Sequence, residues 1–151
     1  MKLNTKSRIA VNAMLDVAAN GTSNPVALAG IGVRQGISLS YLEQLFRRLR
    51  TRGLVKSSRG PGGGYQLGKR ASAISIADIV DAVADDAAGK PRRAGSGVRA
   101  DGLWDQVDRH IGDYLRTVTL EAAMKQFSQV PSQPRNAGSA RRREAEALAA
   151  A

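Results

Sequence analysis

The sequence predicts a mostly α-helical chain, interrupted by one small β-hairpin and extended by a long C-terminal helix. Three observations carry that expectation. Apolar residues recur at helical spacing in four stretches between Thr5 and Val83. Before the last of these the period breaks, and two short β-prone runs flank Arg59-Gly60-Pro61-Gly62-Gly63-Gly64. Further on, Trp104, Val107, Ile111, Tyr114 and Val118 fall at spacings of 3, 4, 3 and 4, an a/d seam.

The first helix is expected over 5–20, with Ala10, Ala13, Met14, Val17 and Ala18 on one face. Asn20-Gly21 closes it as a pair suited to a left-handed cap. A second helix over about 26–35 turns Leu28 and Ile31 inward and stops at Gly36, where glycine takes positive φ without steric cost. The third covers about 39–51 with Leu42, Leu45, Phe46 and Leu49 buried; either Ser38 or Ser40 can cap it, and Ser40-x-x-Glu43 has the capping-box form. Gly53 ends this helix, and Leu54–Ser58 and Tyr65–Leu67 form the hairpin around the glycine-rich tip. Ser75 and Asp78 open a fourth helix whose stripe is Ile76, Ile79, Val80 and Val83.

Residues 1–84 therefore read as one folded unit, 85–102 as a loop without periodicity, and 103–127 as the long helix plus a short one capped by Thr119. Residues 128–151, rich in Pro, Ser, Gln, Arg and Ala, read as a disordered tail. Two short helices joined by a glycine turn make a helix-turn-helix, and the hairpin behind it makes a wing. The long apolar seam needs a partner. Self-association is preferred to docking on the chain's own first unit.

Charge points to the ligand. The 151 residues carry a net +10, and residues 1–84 hold 12 Lys and Arg against 4 Asp and Glu. That excess calls for a polyanion, with a solvated basic surface kept for solubility as the plain alternative. Cysteine is absent and histidine occurs once, as His110, which excludes disulfides, thiolate chemistry and Cys/His zinc sites. No run reaches the length of a membrane span and no secretory leader is evident, so a cytoplasmic protein is expected. An enzyme is not expected. The stretch Gly63–Lys69 opens like a phosphate-binding loop but ends in Arg70 where Ser or Thr is needed, and it crosses a hairpin. His110 has no nucleophile or acid assigned to it and reads as a helix-surface residue.

In a helix-turn-helix the start of the second helix enters the DNA major groove. The side chains offered there are Ser38, Ser40, Tyr41, Glu43 and Gln44. Gln pairs with adenine, Glu accepts from the cytosine amino group, and Ser suits either. Glu43 stays open between capping its own helix and reading cytosine. Phosphate contacts are expected from Lys2, Arg47, Arg48, Arg50 and Lys56, although a solvated face is the plain alternative for the helix arginines. Arg59, with Gly60, Pro61, Gly62 and Gly63, forms a wing tip bare enough to approach a backbone, and its guanidinium suits the negative minor groove.

The run Ser38-Leu-Ser-Tyr-Leu-Glu-Gln-Leu-Phe46, followed by Arg59-Gly-Pro-Gly-Gly-Gly-Tyr65, resembles the IscR family of winged-helix iron–sulfur cluster regulators. The likeness runs from Met1 to about Val83, including Ala13-Met-Leu-Asp-Val-Ala18, and continues more weakly at Leu103-Trp104 and Thr119-Leu120. It implies a homodimer that binds a pseudo-palindromic operator through this helix and wing, with long C-terminal helices crossing at the interface. Trp104, Val107, Ile111, Tyr114 and Val118 would line that interface. By resemblance, the genes controlled would concern iron–sulfur cluster biogenesis, and Glu43 would separate classes of site.

The resemblance also implies a 2Fe-2S cluster on three cysteines and a histidine, in a loop falling at about 88–102. Here the chain departs from the family. That loop holds no cysteine, with Ala94 and Ala100 at a spacing where two could have stood, and without thiolates no such cluster is held. No cofactor is therefore expected in this chain, and DNA binding is expected without one. The alternative reading is a regulator set by a protein partner docking on the arm or on the loop, where Arg92 and Arg93 offer positive charge.

Overall fold

The computed structural model describes residues 3–84 and 101–127. Lys2, Ala94, Ala100, residues 85–100 and the expected tail at 128–151 lie outside the described residues. The elements in order are α1 (Thr5–Asn20), α2 (Leu28–Gln35), α3 (Leu39–Thr51), β1 (Val55–Ser58), β2 (Gly64–Leu67), a 3-10 turn at Ala71–Ala73, α4 (Ile76–Val83), α5 (Asp101–Thr117) and α6 (Leu120–Phe127). This is the mostly helical fold with a small hairpin that the periodicities predict.

Local chemistry fixes the helix starts. Asn4 caps α1 reciprocally with Ser7, whose backbone N–H reaches Asn4 Oδ1 at 2.9 Å while the Asn4 N–H reaches Ser7 Oγ at 3.0 Å. Ser75 and Asp78 do the same for α4, at 3.0 and 2.9 Å. Thr119 Oγ1 accepts the Ala122 N–H at 3.1 Å at the head of α6. Helix α3 behaves otherwise: Ser38 is its N-cap residue and makes no side-chain capping bond, and the Ser40/Glu43 capping box is not formed.

The core is aliphatic. Ala10, Ala13, Met14 and Val17 of α1 meet Leu42, Leu45, Phe46 and Leu49 of α3, and Ile79, Val80 and Val83 of α4, all at most 2% exposed. Helix α4 packs on α1, α3 and α5, and α6 packs on α1. Burial of each large side chain contributes roughly 1.5–3 kcal/mol, and removing Phe46 to alanine would cost about 3–5 kcal/mol.

Several expectations need correction. Helix α2 begins at Leu28, two residues late, because Val26 is taken by the hairpin: its N–H and C=O both bond Tyr65, each at 2.8 Å. Two ladder bonds outweigh one more helical residue, so Val26 acts as a third, one-residue strand beside β2. Gly21 is not left-handed, with φ −94°. Glycine is needed there for space, since a Cβ would stand 2.5 Å from the Val17 carbonyl oxygen. Gly36 does take φ 65°, as the turn requires. Helix α5 starts at Asp101, inside the stretch expected to be loop, and ends at Thr117. Val118 therefore leaves the helical seam: its carbonyl accepts the Ile76 N–H at 2.9 Å and its side chain packs on the core.

Candidate nucleic-acid interface

Burying Leu42, Leu45, Phe46 and Leu49 dictates what α3 shows to solvent. Ser40, Glu43, Gln44 and Arg47 stand on the opposite face at i, i+3, i+4 and i+7, and all four are exposed. Ser38 is also exposed at the helix entrance. These five groups form one polar strip along the outer side of the helix, with Glu43 the sole acid on α3. Tyr41 is set apart: it is half-buried and packs against the core at the flank of the strip.

The arginines divide by position. Arg47 and Arg50 are exposed. Arg48 is half-buried, and its Nη1 donates to the Val83 and Ala84 carbonyls at 3.3 and 2.9 Å. A cation placed on the last carbonyls of α4 stabilises that helix end. Arg48 thus ties α3 to α4.

The hairpin pairs Val55 with Leu67, Lys56 with Gln66, Ser57 with Tyr65 and Ser58 with Gly64. It is fastened to α3 by Tyr65, whose ring meets Phe46 edge-on at 4.9 Å and 64°. The tip is a tight turn closed by the Gly63 N–H on the Gly60 carbonyl at 2.9 Å. Pro61 sits second and Gly62 third with φ 73°, the pattern of a type II turn, which only glycine fills without strain. Arg59 projects at the root of this tip, and Arg59, Gly60, Pro61 and Gly62 are all exposed. The strip of α3 and the wing are thus held in fixed relation by the Phe46–Tyr65 contact. Lys56 stands elsewhere, lining an open groove of about 520 Å³ with Gln66, Arg70, Glu121 and Met124.

The turn of the helix-turn-helix is braced from behind. Arg34 on α2 grips Asp16 on α1 through two bonds, Nε to Oδ2 at 2.9 Å and Nη2 to Oδ1 at 2.5 Å. Burial alone would raise the Asp16 carboxyl. Hydrogen bonds from Arg34, Asn20 and Gln35, with the Arg34 charge, outweigh it and hold the group below its ordinary value of 3.8. The hydrogen bond to Asp16 raises Arg34 in turn.

Two exposed aliphatic residues flank the turn and escape the sequence reading: Val33 at 86% exposure and Leu39, the first residue of α3, at 46%. On a major groove edge the apolar feature is the thymine methyl. Leu39, beside Ser38 and Ser40, can meet it.

The seam on α5 is open in the chain. Trp104 and Tyr114 are each 63% exposed, Leu103 57% and Val107 36%, while Ile111 is half-buried. Gly112 and Leu115 turn instead toward the core. His110 is exposed, with Nδ1 2.8 Å from the Gln106 carbonyl oxygen. Among the described residues, no three of His, Cys, Asp and Glu come together as metal ligands, and no helix is long and apolar enough to cross a membrane.

The Rrf2 family, described as an iron-dependent transcriptional regulator, matches residues 3–126. The chain is 50% identical over 127 residues to the HTH-type transcriptional regulator IscR of Klebsiella pneumoniae strain 342, covering 80% of this chain and 77% of that protein. The IscR of Vibrio campbellii is 49% identical over 132 residues, covering 83% and 78%. Among solved structures, T. potens IscR superposes with a TM-score of 0.69 at 33% identity, covering 88% of this chain and 94% of that one. CymR, the global cysteine regulator of B. subtilis, follows with a TM-score of 0.68 at 31% identity, covering 83% and 98%.

Proposed function

This chain belongs to the Rrf2 family of transcriptional regulators, and on that premise we propose how its DNA-binding function is carried out. The α3 strip of Ser38, Ser40, Glu43 and Gln44 reads base edges in the major groove, with Leu39 adding apolar contact. Arg47 and Arg50 anchor phosphates, Lys2 and Lys56 add positive charge, and Arg59 at the wing enters the adjacent minor groove. The observation that supports this most is the exposure of an uncommitted polar strip and an arginine-tipped hairpin on one rigid unit whose excess charge is positive. A surface of that kind gains affinity from phosphate neutralisation and specificity from the few groups that reach bases.

Residues 1–84 are the DNA-reading unit and 103–127 the arm. Trp104, Val107, Ile111 and Tyr114 on that arm meet the same residues of a second copy, because an apolar stripe of this size is stabilised once water is removed from it. A two-fold dimer reads a pseudo-palindromic operator, with half-sites one helical turn apart or a multiple, about 10 base pairs. The chain holds no 2Fe-2S cluster and acts in the cytoplasm, where its operators are. By analogy with IscR, its operators lie near iron–sulfur cluster genes.

Hydroxyl-radical footprinting on a duplex selected by the chain from a randomised pool tests the reading. Paired protected patches with two-fold symmetry about 10 base pairs apart are expected. A single asymmetric patch, or uniform protection, would exclude the dimeric operator mode.

A further inference from the structure

The family is described as iron-dependent, yet this chain lacks the donors such dependence requires. We propose that its DNA binding is uncoupled from iron and from thiol redox state, so that operator occupancy follows the concentration of the protein itself. The inference concerns the regulation of the DNA-reading surface and rests on the operator reading above.

Iron–sulfur clusters are held by cysteine thiolates, with histidine replacing some of them in certain types. The 151 residues contain no cysteine and one histidine. Non-haem Fe(II) in its common protein site takes two histidines and a carboxylate, and one chain cannot supply the second imidazole. His110 lies on the exposed side of α5 with Nδ1 held at 2.8 Å by the Gln106 carbonyl oxygen, which leaves Nε2 alone for any ligand. No three ligand-type side chains converge among the described residues. Residues 85–100 and 128–151 add Asp85, Asp86, Glu144 and Glu146, and neither Cys nor His. Carboxylates are hard oxygen donors that suit magnesium, calcium or manganese better than a sulfide-bridged iron pair.

The same composition removes the other common switch. Reversible thiol oxidation, to a sulfenic acid or a disulfide, needs a cysteine. The DNA-facing groups offer nothing in its place: Ser38, Ser40, Glu43, Gln44 and Arg59 carry no sulfur to oxidise.

The experiment uses the full chain in four states: purified from iron-replete cells, treated with a chelator, incubated anaerobically with ferrous iron and sulfide then desalted, and exposed to hydrogen peroxide. Iron per protomer and affinity for the pool-selected duplex are measured in each, beside His110→Ala. The expected result is below about 0.1 iron per protomer, with Kd constant within about twofold across the four states and in the variant. Retention of about 0.5 iron or more, or a tenfold change in Kd between states, overturns the proposal. Iron lost on His110→Ala would identify a site shared between two copies and overturns it as well. Absence of DNA binding in every state overturns it through the operator reading, and low iron in the same samples separates that failure from a missed metal site.

Discussion

Single side chains decide what this surface reads. Leu39 stands against its chemistry: it is an aliphatic group 46% exposed at the mouth of α3. If it meets a thymine methyl, replacing operator thymines with deoxyuridine should weaken binding of the native chain, by about fivefold at the contacted position. The same replacement should leave Leu39→Ala unaffected. Equal losses in both proteins would remove Leu39 from the reading set. The sequence hides this residue for a plain reason. Leu39 lies three before Leu42, so periodicity offers it as core, and only the packed structure shows that the helix start runs beyond its cover. Arg48 is hidden in the opposite sense: among neighbouring arginines, nothing in the sequence marks the one that folds back onto the carbonyls of α4.

At the scale of elements, the fold is legible in the sequence where local chemistry governs and illegible where distant segments compete. The capping pair at Ser75 and Asp78, the left-handed Gly36 and the stripe of α3 all follow from spacing and side-chain type, and all are present. Val26 and Val118 depart from the local pattern because each gives backbone bonds to a partner about 40 residues away, at Tyr65 and Ile76 respectively. The Asp16–Arg34 brace is another long-range feature, and it carries a pH signature. The folded-state carboxyl titrates below 3.8, so the brace contributes its full stability above that value and loses it as pH falls through the depressed one. Asp16→Asn should destabilise the chain near neutrality by about 1 kcal/mol, a modest figure because Arg34 is half exposed. It should also lose less stability than the native chain on acidification below about pH 4. Urea unfolding at a series of pH values measures both. Parallel curves would mean that the brace does not titrate with folding.

At the scale of the molecule, the proposed reading head and arm are each incomplete alone. The arm leaves Leu103, Trp104, Val107 and Tyr114 in solvent. Val107→Asp, placing a charge in that stripe, should convert a dimer to a monomer in sedimentation equilibrium while helical content stays intact. Affinity for the operator should then fall by about two orders of magnitude, since half-sites no longer reinforce each other. A variant that stays dimeric would place the interface elsewhere. The central claim is that helix α3 and the wing act together on DNA, and one titration tests it most directly. The native chain and Arg59→Ala are titrated onto the selected operator and a scrambled duplex at two salt concentrations. The account predicts strong preference of the native chain for the operator, weakening by about 0.9 in log K per neutralised phosphate for each tenfold rise in salt. It predicts a loss of about tenfold or more in the variant. Equal affinity for both duplexes, or an Arg59→Ala chain that binds as the native one does, would contradict it.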